Sequence, residues 1–145
     1  MFMGEHGHNI DEKGRVIMPA KFREQLGDNF VLTKGLDGCL FVYPMTEWEE
    51  IQRRFRETSL ASKDARIFSR FFFGSASEVE IDKQGRVNIP APLRAYAQLK
   101  KDVTLVGVLD RIEIWDKETW ENGNSSDDAD MDRIAEHMAE LGISI

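Results

Sequence analysis

A stretch of fourteen residues occurs twice in this chain. Ile10-Asp11-Glu12-Lys13-Gly14-Arg15-Val16-Ile17-Met18-Pro19-Ala20-Lys21-Phe22-Arg23 returns 71 positions later as Ile81-Asp82-Lys83-Gln84-Gly85-Arg86-Val87-Asn88-Ile89-Pro90-Ala91-Pro92-Leu93-Arg94, with eight positions identical. A repeat at fixed offset constrains the fold more than any local propensity, because each copy is one supersecondary unit that buries its apolar face against a neighbour. Each copy reads as strand, turn, strand and short helix. Ile10 or Ile81 closes one extended run and Val16 or Val87 opens the next, with Asp-x-x-Gly-Arg between them. Asp accepts from backbone N–H groups further along such a turn, and Gly supplies the positive φ that a tight reversal needs. Pro19 and Pro90 suit the first turn of a helix, where a missing N–H costs nothing, so 20–26 and 91–99 are expected to be short helices.

The repeat continues at an offset of 72, pairing Val31 with Val103, Gly35 with Gly107, Leu40 with Ile112, Val42 with Ile114 and Trp48 with Trp120. Residues 31–33 and 40–43 read as two strands around a Gly35-Leu36-Asp37-Gly38 turn, and 103–108 with 111–115 as their counterparts. Each half is therefore βαββ-like and ends in a helix. The organisation expected is a first half over 5–47, a helical connector over 48–75, a second half over 76–119, and an acidic linker with a C-terminal helix over 120–145. A half of about 50 residues buries too little surface to stand alone, so the halves are expected to share one core.

The single cysteine, Cys39, allows no internal disulfide, which suits a cytoplasmic protein. No apolar run spans a bilayer and the N-terminus lacks a secretory pattern. The net charge of −7 argues at first against nucleic acid, but it is unevenly placed. Residues 110–145 carry eleven acidic and three basic groups, leaving the first 109 residues at +1, and each signature stretch, 11–23 and 82–94, is locally +2. A modest basic face opposite an acidic tail is compatible with DNA.

His6 and His8 alternate on an expected strand and share a face. No third ligand stands at a suitable spacing, so they read as solvated strand residues and no metal site is assigned. Thr46-Glu47-Trp48-Glu49 after Pro44 has the form of a capping box opening a helix to about residue 57. Its Arg53, Arg54 and Arg56 read as a solvated surface, with phosphate contact as the alternative. A second helix over 63–73 carries Ile67, Phe68, Phe71 and Phe72 as an apolar stripe, read either as packing between the halves or as a subunit interface. Gly74 is expected to close that helix. Residues 116–121 open the counterpart of the first helix. The polar run 122–128 reads as a linker, and 129–141, with Met131, Ile134, Met138 and Leu141 at helical spacing, as a tail helix docked on its own barrel or on a neighbour.

Three His, one Cys and no Gly-rich phosphate loop compose no recognisable catalytic constellation, so the chain reads as a non-enzyme without cofactor or small-molecule substrate. The duplicated Arg is the stronger clue. Arg15 and Arg86 follow a turn, and a planar guanidinium there matches guanine O6 and N7 or phosphate oxygens. The plainer reading is that each Arg pairs with the Asp of its own turn.

Asp11-Glu12-Lys13-Gly14-Arg15 and Asp82-Lys83-Gln84-Gly85-Arg86 both fit an Asp-x-x-x-Arg signature, each followed by Val-x-x-Pro-Ala. Over roughly residues 1–120 the chain resembles the MraZ family of bacterial transcription regulators, which carry two SpoVT-AbrB-type halves in one chain. The resemblance implies an α+β fold in which the βαββ-type halves form one swapped-hairpin-like β-barrel with peripheral helices. It implies double-stranded DNA as partner: short, repeated, G-containing elements upstream of the division and cell-wall gene cluster that encodes such proteins. It also implies a homo-oligomer, in ring form, associated with the nucleoid and not with a membrane. Arg15 and Arg86 would be the readers, and Lys13 and Lys83 would add phosphate contacts. Those two lysines do not correspond in register, because Gln84 stands where the first half has Lys13. Arg23 and Arg94 match between halves and read as structural helix charges. The alternative is a protein-binding antitoxin or scaffold on the same barrel.

Overall fold

The repeat visible in the sequence becomes a repeat of elements in the computed structural model, which describes residues 1–123 and 128–143. The first half comprises β1 (Phe2–Asn9), β2 (Arg15–Ile17), α1 (Ala20–Leu26), β3 (Asn29–Lys34), β4 (Leu40–Pro44) and α2 (Met45–Arg56). After α3 (Lys63–Phe72) the series returns as β5 (Ser77–Glu80), β6 (Arg86–Asn88), α4 (Ala91–Tyr96), β7 (Asp102–Leu109), β8 (Arg111–Asp116) and α5 (Lys117–Gly123), followed by α6 (Asp128–Glu140).

Strand pairing interleaves the halves. The main sheet is antiparallel, with the order β1-β7-β8-β4-β3-β5, and β2 pairs with β6 in a separate two-stranded ribbon. Exchanging the halves (β1 for β5, β3 for β7, β4 for β8) reads the same order backwards, so a pseudo-twofold passes between β4 and β8. Each edge strand is donated across this axis: Phe2 to Asn9 run beside Leu109 to Asp102, and Asn29 to Leu32 beside Glu80 to Ser77. Among the described residues, the strand pairing shows no hydrogen-bonded closure of the barrel expected from the resemblance. The ladder ends at β1 and β5, because β2 and β6 turn away from the sheet and pair with each other.

Two apolar layers follow from the alternation of side chains across the strands. Between the sheet and the ribbon lie Val16, Met18, Phe22, Phe30, Leu32 and Val42 of one half with Val87, Ile89, Leu93, Val103, Leu105 and Ile114 of the other. On the opposite face of the sheet, Val31, Phe41, Tyr43, Val106 and Trp115 meet Trp48 of α2 and Phe72 of α3. Phe71 packs edge-on against Tyr96, at 5.7 Å between ring centroids. The aromatic stripe therefore packs within the chain and touches both halves.

Three local expectations change. The capping box at Thr46 does not form: α2 starts one residue earlier, its N-cap is Pro44, and no side chain caps it. Pro44 is still the last residue of β4, so the chain enters the helix directly from the strand, which places Thr46 inside the first turn. The counterpart of Pro44 in the second half, Asp116, does act as a cap, accepting from the Thr119 N–H at 3.4 Å. Gly74 is not in the left-handed region; a side chain there would run into the Arg70 carbonyl, so it is glycine for space. Of the expected linker over 122–128, Asn122 and Gly123 end α5 and residue 128 begins α6, while 124–127 lie outside the described residues. None of the described α6 residues belongs to either apolar layer, and Met131 and Leu141 are exposed. Among the described residues no helix is long and apolar enough to cross a membrane.

Candidate nucleic-acid interface

Each Asp-x-x-Gly-Arg segment folds into the same tight turn. Asp11 Oδ1 accepts from the Lys13 and Arg15 backbone N–H groups, both at 2.9 Å, while the Gly14 N–H donates to the Asp11 carbonyl at 3.0 Å. In the second half Asp82 Oδ1 accepts from the Gln84 and Arg86 N–H groups at 2.9 and 2.8 Å, and Gly85 donates to the Asp82 carbonyl at 3.0 Å. Gly14 and Gly85 stand at φ +83° and +79°, a region that side-chain-bearing residues rarely enter. Donation from the Arg15 backbone N–H, reinforced by the Arg15 side chain and the Lys13 N–H, holds the Asp11 carboxyl below its ordinary range against opposing desolvation. Asp82 is lowered in the same way by the Arg86 N–H first, then the Arg86 side chain and the Gln84 N–H.

The carboxylate also fixes the arginine. Arg15 Nε donates to Asp11 Oδ2 at 2.7 Å, and Arg86 Nε donates to Asp82 Oδ2 at 2.8 Å. The plainer reading of the motif, an Asp–Arg pair within each turn, is present in the structure. It engages only Nε. The terminal Nη groups of Arg15 and Arg86 have no acceptor among the described residues, and both side chains remain 28% exposed. A guanidinium anchored at one edge presents its remaining donors in a fixed plane, the arrangement that suits bidentate recognition.

The ribbon brings the two arginines together. Arg15 stands opposite Asn88, Val16 opposite Val87, and Ile17 opposite Arg86. The valines point into the core, so Arg15, Ile17, Arg86 and Asn88 share the outer face. Arg15 and Arg86 are diagonal neighbours, which in sheet geometry puts the two residues roughly 7–8 Å apart and their Cβ atoms somewhat closer. A two-stranded ribbon of this kind fits the major groove of DNA. Ile17 and Asn88 went unnoticed in the sequence; their signal is the alternation itself, two residues beyond each Arg. They also break the symmetry of the face, one being apolar and the other an amide.

Lys13 and Lys83 are exposed on their turns, and neither ammonium has an ion-pair partner among the described residues. Arg23 on α1 and Arg94 on α4 are half-buried helix residues, and each guanidinium reaches the glycine of the opposite half's turn. Arg53 pairs along its own helix with Glu50, at 2.5 Å, and with Glu57, at 3.0 Å, and is exposed, which supports the solvated reading of that basic run. His6 lies edge-on to Phe22, at 5.0 Å between ring centroids. Among the described residues no three His, Cys, Asp or Glu side chains converge as a metal site.

The family described as "MraZ protein, putative antitoxin-like" matches residues 1–71 and again 72–141. The chain belongs to the MraZ family. The MraZ boundary at 71/72 falls at the end of α3, and each match contains one Asp-x-x-Gly-Arg turn. A protein of Natranaerobius thermophilus is 53% identical over 99% of this chain and 100% of its own length. Proteins of Thermoanaerobacter pseudethanolicus and Clostridium tetani are 56% and 52% identical over the same shares. All three carry the name transcriptional regulator MraZ.

Proposed function

We propose that this chain is a sequence-specific DNA-binding transcription regulator whose reading element is the β2–β6 ribbon. The observation that carries the reading is the pair of guanidiniums, Arg15 and Arg86, each anchored through Nε and open at Nη on one exposed face. Arg15 and Arg86 take guanine edges or adjoining phosphates, and Lys13 and Lys83 add phosphate contacts from the turns. The relatives' shared name supports regulation of transcription. The DNA read is short, repeated, G-containing and promoter-borne, upstream of the division and cell-wall cluster, and the working form is a ring of identical chains at the nucleoid in the cytoplasm. Catalysis is not part of the proposal. The only thiol, Cys39, is buried, donates to the Leu36 carbonyl at 3.3 Å, and is pushed up to about 12, mainly by desolvation.

One chain offers few phosphate contacts, so a single element should be held weakly and with a shallow salt dependence. Joining chains raises the effective concentration of each further contact, strengthening binding by roughly 10²–10⁴ without a new kind of contact. The experiment is a titration of DNA from immediately upstream of the protein's own gene, carrying one, two or three element copies, with the protein sized in parallel. Affinity should climb with copy number and the protein should run as an oligomer. Failure to bind that DNA at low salt overturns the DNA reading; a monomer that holds one copy as tightly as three overturns the assembly. Capture of a defined protein partner without any DNA-dependent shift favours the antitoxin or scaffold alternative.

A further inference from the structure

Two buried side-chain nitrogens lack a hydrogen-bond partner among the described residues, and they are equivalent atoms: Nε of Arg23 in α1 and Nε of Arg94 in α4. A buried donor left unpaired is costly and calls for a reason. The reason lies in what each guanidinium touches. A Cβ built on Gly14 would stand 2.5 Å from Arg94 Nη1 and 2.7 Å from its Cζ; one built on Gly85 would collide with Arg23 Nη1 and stand 2.9 Å from its Cζ. Each arginine therefore lies directly on the turn glycine of the other half. The same glycines receive backbone bonds across the axis, since the Met18 N–H donates to the Gly85 carbonyl and the Ile89 N–H to the Gly14 carbonyl, both at 2.9 Å. A guanidinium is planar and weakly hydrated, so it can lie flat on a bare peptide where an ammonium cannot.

We infer that Arg23 and Arg94 are positioning residues that hold the reading turn of the opposite half, so that the helix of each half aims the DNA-facing arginine of the other. The device accounts for two facts together: an arginine closing each copy of the repeat, and a guanidinium buried against the turn of the opposite half. A helix charge acting alone explains neither. The inference rests on the proposed DNA reading for its functional consequence, but the crossed packing stands apart from it. Each turn closes through its own hydrogen bonds, but its glycine is covered from the other half, so the two arginines of the ribbon are set as a pair.

The test uses the full chain with Arg23→Ala, Arg23→Lys, Gly85→Ala and the double variant Arg23→Ala/Gly85→Ala, together with the mirror set at Arg94 and Gly14. Amide hydrogen exchange, without DNA, should speed up at Gly85 and Arg86 in Arg23→Ala while Gly14 and Arg15 keep their wild-type rates; Arg94→Ala should do the reverse. Gly85→Ala should lower the melting temperature in the wild-type background and much less where Arg23 is already Ala, because the positive φ costs the same in both and only the collision is relieved. DNA affinity should show the same non-additivity, by roughly 2–150-fold, the range for residues in contact. Arg23→Lys should resemble Arg23→Ala in exchange. Faster exchange confined to the variant's own half, strict additivity, or restoration by Lys would overturn the inference. So would weaker DNA binding with unchanged exchange at Gly85, which would make Arg23 a direct contact. If exchange crosses the axis but Arg15→Ala and Arg86→Ala bind DNA normally, the packing stands and the DNA reading falls.

Discussion

The two turns and the two outer helices have fared differently since the halves became one chain. At the turns the copies agree bond for bond: Asp Oδ1 holds two backbone N–H groups at 2.8–2.9 Å and Asp Oδ2 holds the Arg Nε at 2.7–2.8 Å in each. At the outer face they diverge. Trp48 of α2 is enclosed by Tyr43, Phe72 and Phe73, whereas its counterpart Trp120 on α5 meets Trp115 and donates its indole N–H to Glu5 of the edge strand at 2.9 Å. α3 lays a run of phenylalanines on the sheet, whereas the helix in the same place of the second half, the acidic α6, contributes no described residue to either apolar layer. The turns must match because they share one ribbon and one pseudo-axis; a change in one alters the strand facing it. The outer layer is also shared between the halves, through Phe71 against Tyr96 and Trp120 against Glu5, but those contacts are not repeated across the axis, so the two copies are free to differ there.

The largest effect that would expose this difference is at the tryptophans. Trp48→Ala removes a ring from the middle of an aromatic cluster and should cost about 3–5 kcal/mol of stability, the usual range for a buried aromatic truncated to Ala. Trp120→Ala should cost clearly less, since Trp120 is only partly buried. Denaturant unfolding of both variants measures it. Equal losses would mean that the outer faces are as symmetric as the turns.

The turns should behave in the opposite way, with the two copies equivalent. Arg15→Ala and Arg86→Ala should each weaken binding to promoter DNA by about 1–3 kcal/mol, the worth of one good bidentate base contact. The melting temperature should barely move, because an exposed ion pair of this kind adds little to stability. Titration calorimetry beside a thermal scan decides it. Normal affinity in either variant removes that arginine from the reading face. A gap between the two would point to Ile17 and Asn88, the neighbours that differ on the ribbon.

How far this arrangement was legible in the sequence follows the same division. The turn was readable because its chemistry is local: Asp, Gly and Arg within five residues dictate an Asp-capped reversal with the Arg beside the Asp. Strand exchange came only through the resemblance, since β2 and β6 carry no local mark of a partner 71 residues away, and nothing in Arg23 or Arg94 says that the glycine each covers lies in the other half. The helix start at Met45 was missed for the converse reason. Thr46 and Glu49 make a plausible cap on paper, but Pro44 is committed to β4, and the strand's end overrides the motif.

A smaller effect should appear in acid. The carboxyls of Asp11 and Asp82 are both depressed, through the N–H groups of Arg15 and Arg86 first. A depressed carboxyl stabilises the fold above the ordinary Asp range, about 3.9, and that contribution is lost as pH falls through the lowered value. Backbone amide shifts of both turns should therefore change together only below that range, and Asp11→Asn should remove the transition at the first turn alone. A transition near neutral pH in the wild type, or one that Asp11→Asn abolishes in both turns, would contradict the independence of the two carboxylates.

The smallest effect is expected from the tail. A chain ending at Gly123 loses residues 124–145, which carry six acidic groups and one basic group, a net of −5 out of the whole chain's −7. None of the described α6 residues contributes to either apolar layer, and Met131 and Leu141 lie exposed, so the melting temperature should hold. Like charge near a DNA-binding protein opposes the phosphates, which argues for a gain in affinity on truncation. Screening limits that gain: at physiological ionic strength the Debye length is about 8 Å, so charges further than that from the ribbon contribute little. Affinity should accordingly be unchanged or slightly raised at physiological salt, with the gain growing as salt is lowered. A truncated protein that precipitates would show that 131–141 covers apolar surface in the assembled protein, and a salt-independent loss of affinity would place the tail among the DNA contacts.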